Sequence, residues 1–258
     1  MTRRLLAGCI ALMAMTLFSN TQARPLAEIE KSGQLIIGTY GNFKPFTYFE
    51  DGHFVGFEVD IGNEIATRLK LKPEWKPMEF DSLLTGLAQD RWDMVTASFG
   101  ITDERAKAVL FTAPHYCTGG AIVSTRPEVK TAQDLNGKKV SVQTGSTYFM
   151  ALQNVPGVQV RNMSSDNARN ALLSGKVDAW VTDKFVALMM QQKAAASAGA
   201  IRPVYIGDLL FSERVATAMK KDNTALAARY NQVLDDMLKD GTYEAISRKW
   251  FNEDVRCK

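Results

Sequence analysis

Histidine and cysteine are scarce in this sequence, which has two of the former and three of the latter among 258 residues. Neither His53 nor His115 lies at a metal-ligand spacing from cysteines or carboxylates, so we expect no zinc site. The sequence also lacks the Gly-x-Ser-x-Gly motif of hydrolases, the phosphate-binding P-loop and the glycine fingerprint of dinucleotide-binding domains. These are the common sequence signals of metalloenzymes and cofactor-dependent enzymes, and we expect no cofactor.

A strong charge imbalance is also missing. Lysine and arginine number 31 against 28 aspartates and glutamates, and the basic residues form no stripe of the kind that a phosphate backbone requires. We therefore expect no nucleic-acid partner. With 46% hydrophobic and 23% charged residues, the composition is that of a globular protein, and the length is typical of about two domains.

The N-terminus has the order of a secretory signal peptide. Arg3 and Arg4 precede an uncharged apolar stretch over residues 5–18, and small and polar residues follow up to Ala23. The apolar stretch is shorter than the roughly 20 residues that a membrane-spanning helix needs. The pattern predicts a signal peptide over residues 1–23, cleavage after Ala23 and a mature protein in the periplasm.

Two other interpretations of this segment are weaker. Leu6-Ala7-Gly8-Cys9 looks like the site of a lipid-modified bacterial cysteine, but most of the apolar stretch follows it rather than precedes it. Thr2-Arg3-Arg4 is a partial twin-arginine signal whose remaining positions are missing. The general export route is favoured.

Cleavage would remove Cys9 and leave Cys117 and Cys257. In an oxidising compartment these two cysteines can pair, although the sequence does not place them within bonding distance. The alternative is a buried thiol at Cys117 and a frayed tail at Cys257, and the sequence leaves both open. A catalytic thiol at Cys117 beside His115 is disfavoured because thiolates do not persist in an oxidising compartment.

Strands and helices alternate along the rest of the chain. The patterns predict strands at 34–39, 46–50, 54–57, 93–97, 139–143 and 177–182, and helices around 61–69, 81–89, 146–152, 168–173 and 226–238. This alternation is typical of mostly parallel, doubly wound sheets. Two similar segments each lead into a predicted strand, namely Leu83-Leu84-Thr85-Gly86 and Leu172-Leu173-Ser174-Gly175. Two lobes of similar winding would produce such an internal repeat.

Three groups of polar residues follow predicted strands, where ligands bind in open α/β sheets. Arg105 comes after the strand ending near Ser98, and its planar fork suits a carboxylate. Ser146 and Thr147 open a helix and offer hydroxyls, although an ordinary helix cap explains them equally. Asp183 either caps the following helix or pairs with an ammonium group. Together they would bind a zwitterion.

Several segments resemble one family, the bacterial extracellular solute-binding proteins of family 3, which serve polar amino-acid ABC importers. The resemblance spans essentially the whole mature chain. The matching segments are Gly56-Phe57-Glu58-Val59-Asp60-Ile61, Ile101-Thr102-Asp103-Glu104-Arg105, Phe111-Thr112-Ala113-Pro114, Gln143-Thr144-Gly145-Ser146-Thr147 and Asp240-Gly241-Thr242-Tyr243. Within the first of these, Asp60 is expected to cap a helix and Glu58 need not contact a ligand.

The resemblance implies an α/β, two-lobed periplasmic-binding-protein type II fold, each lobe a doubly wound, mostly parallel sheet flanked by helices. Lobe 1 would hold residues 26–117 and 216–258, lobe 2 residues 122–210, and the hinge crossings would lie near 118–121 and 211–215. The partners it implies are an amino-acid ligand and the membrane permease of an ABC transporter. A monomer is expected.

The same resemblance assigns roles to individual residues. Arg105 would bind the ligand α-carboxylate, and Asp183 would bind the α-ammonium group. Further ligand contacts are expected from Ser98, Gly100, Ser146, Thr147, Tyr40, Phe43 and Phe80. Tyr40 stands where binders of basic amino acids often carry an acid, so an uncharged or polar amino acid is favoured.

Two other function classes stay open at this stage. Some members of this fold are periplasmic cyclohexadienyl or arogenate dehydratases, but the sequence offers only Asp183 as a proton donor in the cleft, and we therefore expect no enzyme. A sensory module of a membrane receptor is disfavoured because no spanning segment follows in the sequence.

Overall fold

The computed structural model describes residues 23–197, 199 and 202–257. The predicted signal peptide therefore falls, except for Ala23, outside the described residues. The helices, in chain order, are α1 (Leu26–Ser32), α2 (Phe57–Arg68), α3 (Leu83–Ala88), α4 (Asp103–Ala108), α5 (Thr147–Leu152), α6 (Ser165–Leu173), α7 (Lys184–Ala196), α8 (Thr224–Lys239) and α9 (Thr242–Phe251). Across the described ranges, none of them is long and apolar enough to cross a membrane.

The strands build two five-stranded sheets and a small hairpin sheet. In chain order they are β1 (Gln34–Thr39), β2 (Asn42–Phe43), β3 (Thr47–Glu50), β4 (His53–Val55), β5 (Lys72–Pro77), β6 (Met94–Val95), β7 (Val109–Phe111), β8 (Tyr116–Ser124), β9 (Lys139–Gln143), β10 (Gln159–Met163), β11 (Ala179–Asp183), β12 (Tyr205–Val215) and β13 (Ala218–Lys220). In the short sheet β2-β3-β4, strands β3 and β4 are joined by a turn at Asp51-Gly52.

Both large sheets have the same pattern of strand directions. The first has the order β5-β1-β6-β13-β7 and the second the order β10-β9-β11-β8-β12. In each, the first three strands are parallel, the fourth is antiparallel to the third, and the fifth is antiparallel to the fourth. Four of the five strands in each sheet therefore point the same way, which confirms the mostly parallel α/β prediction. The shared topology also explains the internal repeat in the sequence.

Strands β8 and β12 connect the two sheets. They run antiparallel, with Tyr116 opposite Val215 and Ser124 opposite Tyr205, and β12 is irregular between Ile206 and Phe211. The first-sheet end of this ribbon is held by a bridge between Gly100 and Val215. The predicted lobe boundaries stay a prediction, but the ribbon contains both predicted hinge crossings.

An aromatic cluster packs beneath the junction of the sheets. Phe46 is fully buried, stacks on Tyr116 with ring centres 4.9 Å apart, and lies 5.5 Å from Phe251. Phe185, which lies in α7 on the second sheet, also contacts Phe46, with ring centres 6.4 Å apart. Since burial of one such side chain contributes roughly 1.5–3 kcal/mol, this cluster holds the first-sheet lobe against the start of α7.

Helix α8 buries the face that the sequence predicts. Leu226, Tyr230, Val233, Leu234 and Met237 are all buried, and they recur at the spacing of one helical face. Tyr230 also places its hydroxyl 3.1 Å from that of Thr217, so its one polar group is satisfied inside the core.

The two remaining cysteines are joined. Cys117 and Cys257 form a disulfide with Cα atoms 4.8 Å apart, which confirms pairing over the alternative of a buried thiol and a frayed tail. The amide of Cys117 also donates a 3.1 Å hydrogen bond to the Val255 carbonyl. The C-terminal segment is thereby fixed at the start of β8, directly before a predicted hinge crossing.

The expected helix cap at Asp60 is wrong. Gly56, with a backbone φ of 134°, stands at the N-cap position of α2, and Asp60 lies inside the helix. Its carboxylate accepts hydrogen bonds of 2.7 Å from the Lys249 ammonium and from the Trp250 indole. Asp60 thus attaches α9 to α2 rather than starting the helix.

Candidate functional site

A small cavity lies where the carboxyl ends of strands from both sheets meet. Its volume is only about 10 Å³, far below the range of cavities that hold drug-sized ligands, so its walls nearly touch in this structure. The residues that line it are Tyr40, Phe43, Phe80, Ala97, Ser98, Gln143, Ser146, Thr147 and Tyr148. Six of the nine predicted ligand-binding residues are in this lining, and Arg105, Gly100 and Asp183 are not.

Arg105 lies next to this cavity and bridges the two lobes. It is in the first turn of α4, whose N-cap Thr102 accepts a 3.1 Å hydrogen bond from the Arg105 amide. Its guanidinium donates from Nη1 to the Gly100 carbonyl at 2.7 Å and from Nη2 to the Gly145 carbonyl at 2.8 Å. Only 7% of the residue is exposed. Burial lowers the pKa of Arg105, and the nearby Glu213 charge opposes this, but a guanidinium stays protonated.

Stacking further fixes the Arg105 guanidinium. Its central carbon lies 4.8 Å from the centre of the Phe99 ring, and Phe99 stacks on Phe80 with ring centres 4.4 Å apart. A cation over an aromatic face is attracted by the ring quadrupole, which helps to hold the guanidinium in place. Phe80 therefore contributes to the site both as a cavity wall and as support for the cation.

Asp183 is fully buried at the end of β11. Its Oδ1 accepts hydrogen bonds from the amides of Phe185 at 2.7 Å and Val186 at 3.4 Å, so it caps α7. Its Oδ2 accepts the Thr118 hydroxyl at 2.6 Å. Burial raises the pKa of Asp183 to about 7, against the lowering effect of these donors. Asp183 thus serves as a helix cap while keeping a carboxylate in the hinge region.

Ser98 is held in an unusual conformation by a residue that the sequence did not single out for this role. Ser98 has a left-handed φ of 56°, and its amide and hydroxyl donate to Glu58 at 3.0 and 2.9 Å. Glu58 is fully buried and also lies 2.9 Å from Nε2 of His115. Both Ser98 donors are therefore occupied, and Glu58 is a positioning residue for the loop that leads to Arg105.

Ser146 and Thr147 begin helix α5. The Ser146 hydroxyl donates to the Gln143 carbonyl at 2.7 Å and accepts from the Phe149 amide at 3.1 Å, which is an ordinary N-cap. Thr147 has its hydroxyl near the Glu213 carboxylate and helps to lower the pKa of Glu213. Both side chains line the cavity, as predicted, but Ser146 already has partners within its own turn.

The aromatic residues form the first-lobe wall of the cavity. Phe43 stacks on Phe46 with ring centres 5.6 Å apart, and Tyr40 meets Phe80 edge-on at 6.5 Å. Burial raises the pKa of the Tyr40 phenol to about 12. The Tyr40 hydroxyl lies against Ser164 of the opposite lobe, so this wall also contacts the second lobe.

Direct contacts join the two lobes around the cavity. Besides the hydrogen bond from Arg105 to Gly145, the amide nitrogen of Asn42 contacts the carboxylate of Asp166. These contacts need the cleft to be shut, so the structure shows a closed conformation.

Glu213 is a site residue that the sequence interpretation missed. It lies in β12 opposite Thr118, and its carboxylate oxygens are shielded from solvent. Burial raises the pKa of Glu213, while Thr147, Arg105 and Tyr148 lower it. From the sequence we expected Asp183 to be the only acid of the cleft, and Glu213 is a second one. One indication of this role was present in the sequence, because Glu213 is an acidic residue inside the predicted hinge crossing 211–215.

A metal site finds no support in the described part of the chain. Within it, no group of three or more histidine, cysteine, aspartate or glutamate side chains is placed to hold a metal ion.

Residues 35–253 match the family model of the bacterial extracellular solute-binding proteins, family 3. The chain belongs to this family. The L-cystine-binding protein TcyJ of Escherichia coli (strain K12) is 34% identical over 253 residues, which are 95% of this chain and 93% of that protein. The predicted two-lobed fold is that of the family and is confirmed.

Two solved structures are similar over most of the chain. An ancestral arginine-binding protein bound to arginine is 40% identical with a TM-score of 0.79, covering 85% of this chain and 98% of that one. An ancestral amino-acid-binding protein described as a precursor of cyclohexadienyl dehydratase is 32% identical with a TM-score of 0.79, covering 87% and 98%.

Proposed function

We propose that this protein is the periplasmic substrate-binding component of an ABC importer. It binds an amino acid with an uncharged or polar side chain between two lobes that close on it, and it presents the closed complex to a membrane permease. Residues 26–117 and 216–258 form one lobe and residues 122–210 the other, with hinge crossings at 118–121 and 211–215. The protein works as a binding protein rather than as an enzyme.

The observation that carries this proposal is the buried guanidinium of Arg105, which donates to the Gly145 carbonyl of the other lobe beside a small cavity lined by residues of both lobes. Arg105 binds the α-carboxylate of the ligand, and Asp183 binds the α-ammonium group. The Gly145 carbonyl that Arg105 now contacts gives way to the ligand, because a carboxylate is a stronger partner for a guanidinium than a neutral carbonyl is.

The lining of the cavity supports an uncharged side chain. None of the described residues that line it carries a formal charge, and four of them, Tyr40, Phe43, Phe80 and Tyr148, are aromatic. A second charge on the ligand would be desolvated there without an opposite charge, which is costly. Gln143 leaves its Nε2 buried without a hydrogen-bond acceptor among the described residues, so it is available to a polar ligand side chain.

Closure couples binding to transport in this proposal. A ligand that contacts both lobes binds the closed form more tightly than the open form, and it shifts the population by that difference in affinity. The permease then distinguishes the loaded protein by its closed shape.

A thermal-shift panel of the standard amino acids, L-cystine, prephenate and arogenate tests the proposal on refolded mature protein, since refolding removes any co-purified ligand. A ligand at about 100 times its Kd stabilises the folded state by about 2.7 kcal/mol, which is easily detected. We expect a shift with at least one neutral or polar amino acid and no turnover of prephenate or arogenate. If no amino acid shifts the unfolding temperature, the binding function is wrong, and turnover would replace it with an enzymatic one.

A further inference from the structure

Glu213 lies against the part of the site that would hold the ligand's charged groups. A Cβ atom added to Gly100 would come within 1.8 Å of Oε2 of Glu213 and within 3.0 Å of the methyl group of Thr147. The Gly100 carbonyl also accepts a hydrogen bond from the Arg105 guanidinium. The carboxylate therefore occupies the space that the missing side chain at position 100 leaves beside Arg105.

This carboxylate is buried without well-formed partners. The hydroxyls of Thr147 and Tyr148 lie near it and lower its pKa, but neither oxygen accepts a hydrogen bond of ordinary geometry from any residue that the structure describes. Arg105 directs its Nη1 and Nη2 donors to two carbonyls instead. A buried polar group in this state costs free energy unless a ligand or a proton satisfies it.

The charged and titratable groups around Glu213 come from several elements. Arg105 of α4, Tyr148 of α5 and Asp183 at the end of β11 all interact with it electrostatically. Lys184 and Arg214 line the wider cavity on the hinge side, of which Glu213 is also a wall. Among the residues proposed to meet the ligand, one cation, Arg105, stands with two acids, Asp183 and Glu213, so one negative charge is left over when a zwitterionic amino acid pairs with Arg105 and Asp183.

We propose that Glu213 is a further ligand-binding residue that makes amino-acid binding proton-coupled: it takes up a proton from solvent when the ligand carboxylate arrives beside Arg105. The protonated carboxyl then donates its O–H to that carboxylate, while Arg105 redirects its Nη2 donor from the Gly145 carbonyl to it. No other bond changes, and the proton returns to solvent on release. The inference rests on the proposed function, because it needs a ligand that carries a carboxylate.

The direction of the pH effect follows from linkage. A bound carboxylate raises the pKa of Glu213, so binding and proton uptake favour each other and the affinity falls as pH rises. Asp183 acts in the opposite direction, because an ammonium partner lowers its pKa and releases a proton around pH 7. Above about pH 8 Asp183 is ionised with or without ligand, and only the Glu213 effect remains.

The test is isothermal titration calorimetry with L-glutamine, L-cystine and L-arginine in buffers of different ionisation enthalpy, between about pH 6 and pH 9. We expect wild-type protein to take up more protons per ligand than Glu213→Gln, by a difference approaching one. Its affinity should fall relative to that variant by up to tenfold per pH unit. Glu244→Gln, the same change on the exposed face of α9, serves as the matched control and should behave as wild type.

Equal proton counts and parallel pH profiles in wild type and Glu213→Gln overturn the inference while leaving amino-acid binding intact. If Glu213→Gln does not fold, Glu213→Ala takes its place, and equal proton counts in that variant and in wild type overturn the inference. If none of the three amino acids binds, the inference fails for them, whereas the proposed function fails only if the whole thermal-shift panel is negative. The Gly100→Ala substitution provides a second test. Because its Cβ atom would take the space of the Glu213 carboxylate, it should weaken binding strongly in the wild-type background and much less in the Glu213→Ala background.

Discussion

Arg105 donates a 2.8 Å hydrogen bond from Nη2 to the carbonyl of Gly145, which lies on the opposite lobe. The same guanidinium holds the Gly100 carbonyl of its own lobe at 2.7 Å. One side chain therefore connects the two lobes directly. A ligand that binds Arg105 takes the place of the Gly145 carbonyl and then connects the lobes itself.

Arg105→Ala should weaken amino-acid binding by roughly two to three decades. Removal of one partner of a desolvated ion pair costs about 3–5 kcal/mol, and each 1.4 kcal/mol corresponds to a tenfold change in Kd. Calorimetric titration measures the effect, with Arg229→Ala on α8 as control, because Arg229 contacts Gln232 on the exposed helix face. An affinity within threefold of wild type would remove Arg105 from the site.

The unliganded protein should lose stability as pH rises from about 4 to 7 through Asp183. The pKa of this carboxyl is about 7 in the folded state against 3.8 as its ordinary value, so in this window the folded state binds more protons than the unfolded state. Stability therefore falls with rising pH, by on the order of 4 kcal/mol for this group. Denaturant unfolding at several pH values should show a shallower decline in Asp183→Asn, and identical slopes would contradict this account.

Glu58→Ala should destabilise the protein and weaken ligand binding together. It leaves the Ser98 amide and hydroxyl and His115 without their buried acceptor, and each such loss costs about 1–3 kcal/mol. It also frees Ser98 from its left-handed conformation, so the loop before Arg105 moves. Urea unfolding and titration measure the two effects. Glu64→Ala on the same helix, which removes only a surface pair with Arg68, should change neither by more than about 1 kcal/mol.

Reduction of the Cys117–Cys257 bond should lower stability by about 2–5 kcal/mol. The bond closes a chain segment of 140 residues, so its loss gives the unfolded state much additional freedom. Denaturant unfolding of a double serine variant measures this, with ligand binding as a second observation. Because the bond lies outside the cavity, the affinity should stay close to wild type, and a large loss would show that the hinge depends on it.

Local patterns predicted much of the fold. The apolar spacing of Leu226, Tyr230 and Val233 placed α8 within a few residues, and the strand at 139–143 agrees with β9. These elements are set by interactions between near neighbours in sequence, which periodicity records. The Asp60 cap failed because a contact from α9, almost two hundred residues away, decides the role of that side chain.

The site was predictable only in part. Arg105, Thr147 and Asp183 follow strands and have the chemistry of a zwitterion site, and the resemblance to one family added the aromatic wall. Glu213 could not be found in this way. It reaches the cleft through the pairing of β12 with β8, and its position beside Gly100 depends on contacts between residues more than a hundred apart.

The oxidised pair at Cys117 and Cys257 also makes the protein convenient to label. In protein produced without residues 1–23, and therefore without Cys9, a cysteine introduced at Asp166 would be the one reactive sulfhydryl among the described residues. An environment-sensitive dye attached there would lie next to Asn42, where the two lobes meet, and its emission would report opening and closing of the cleft in real time.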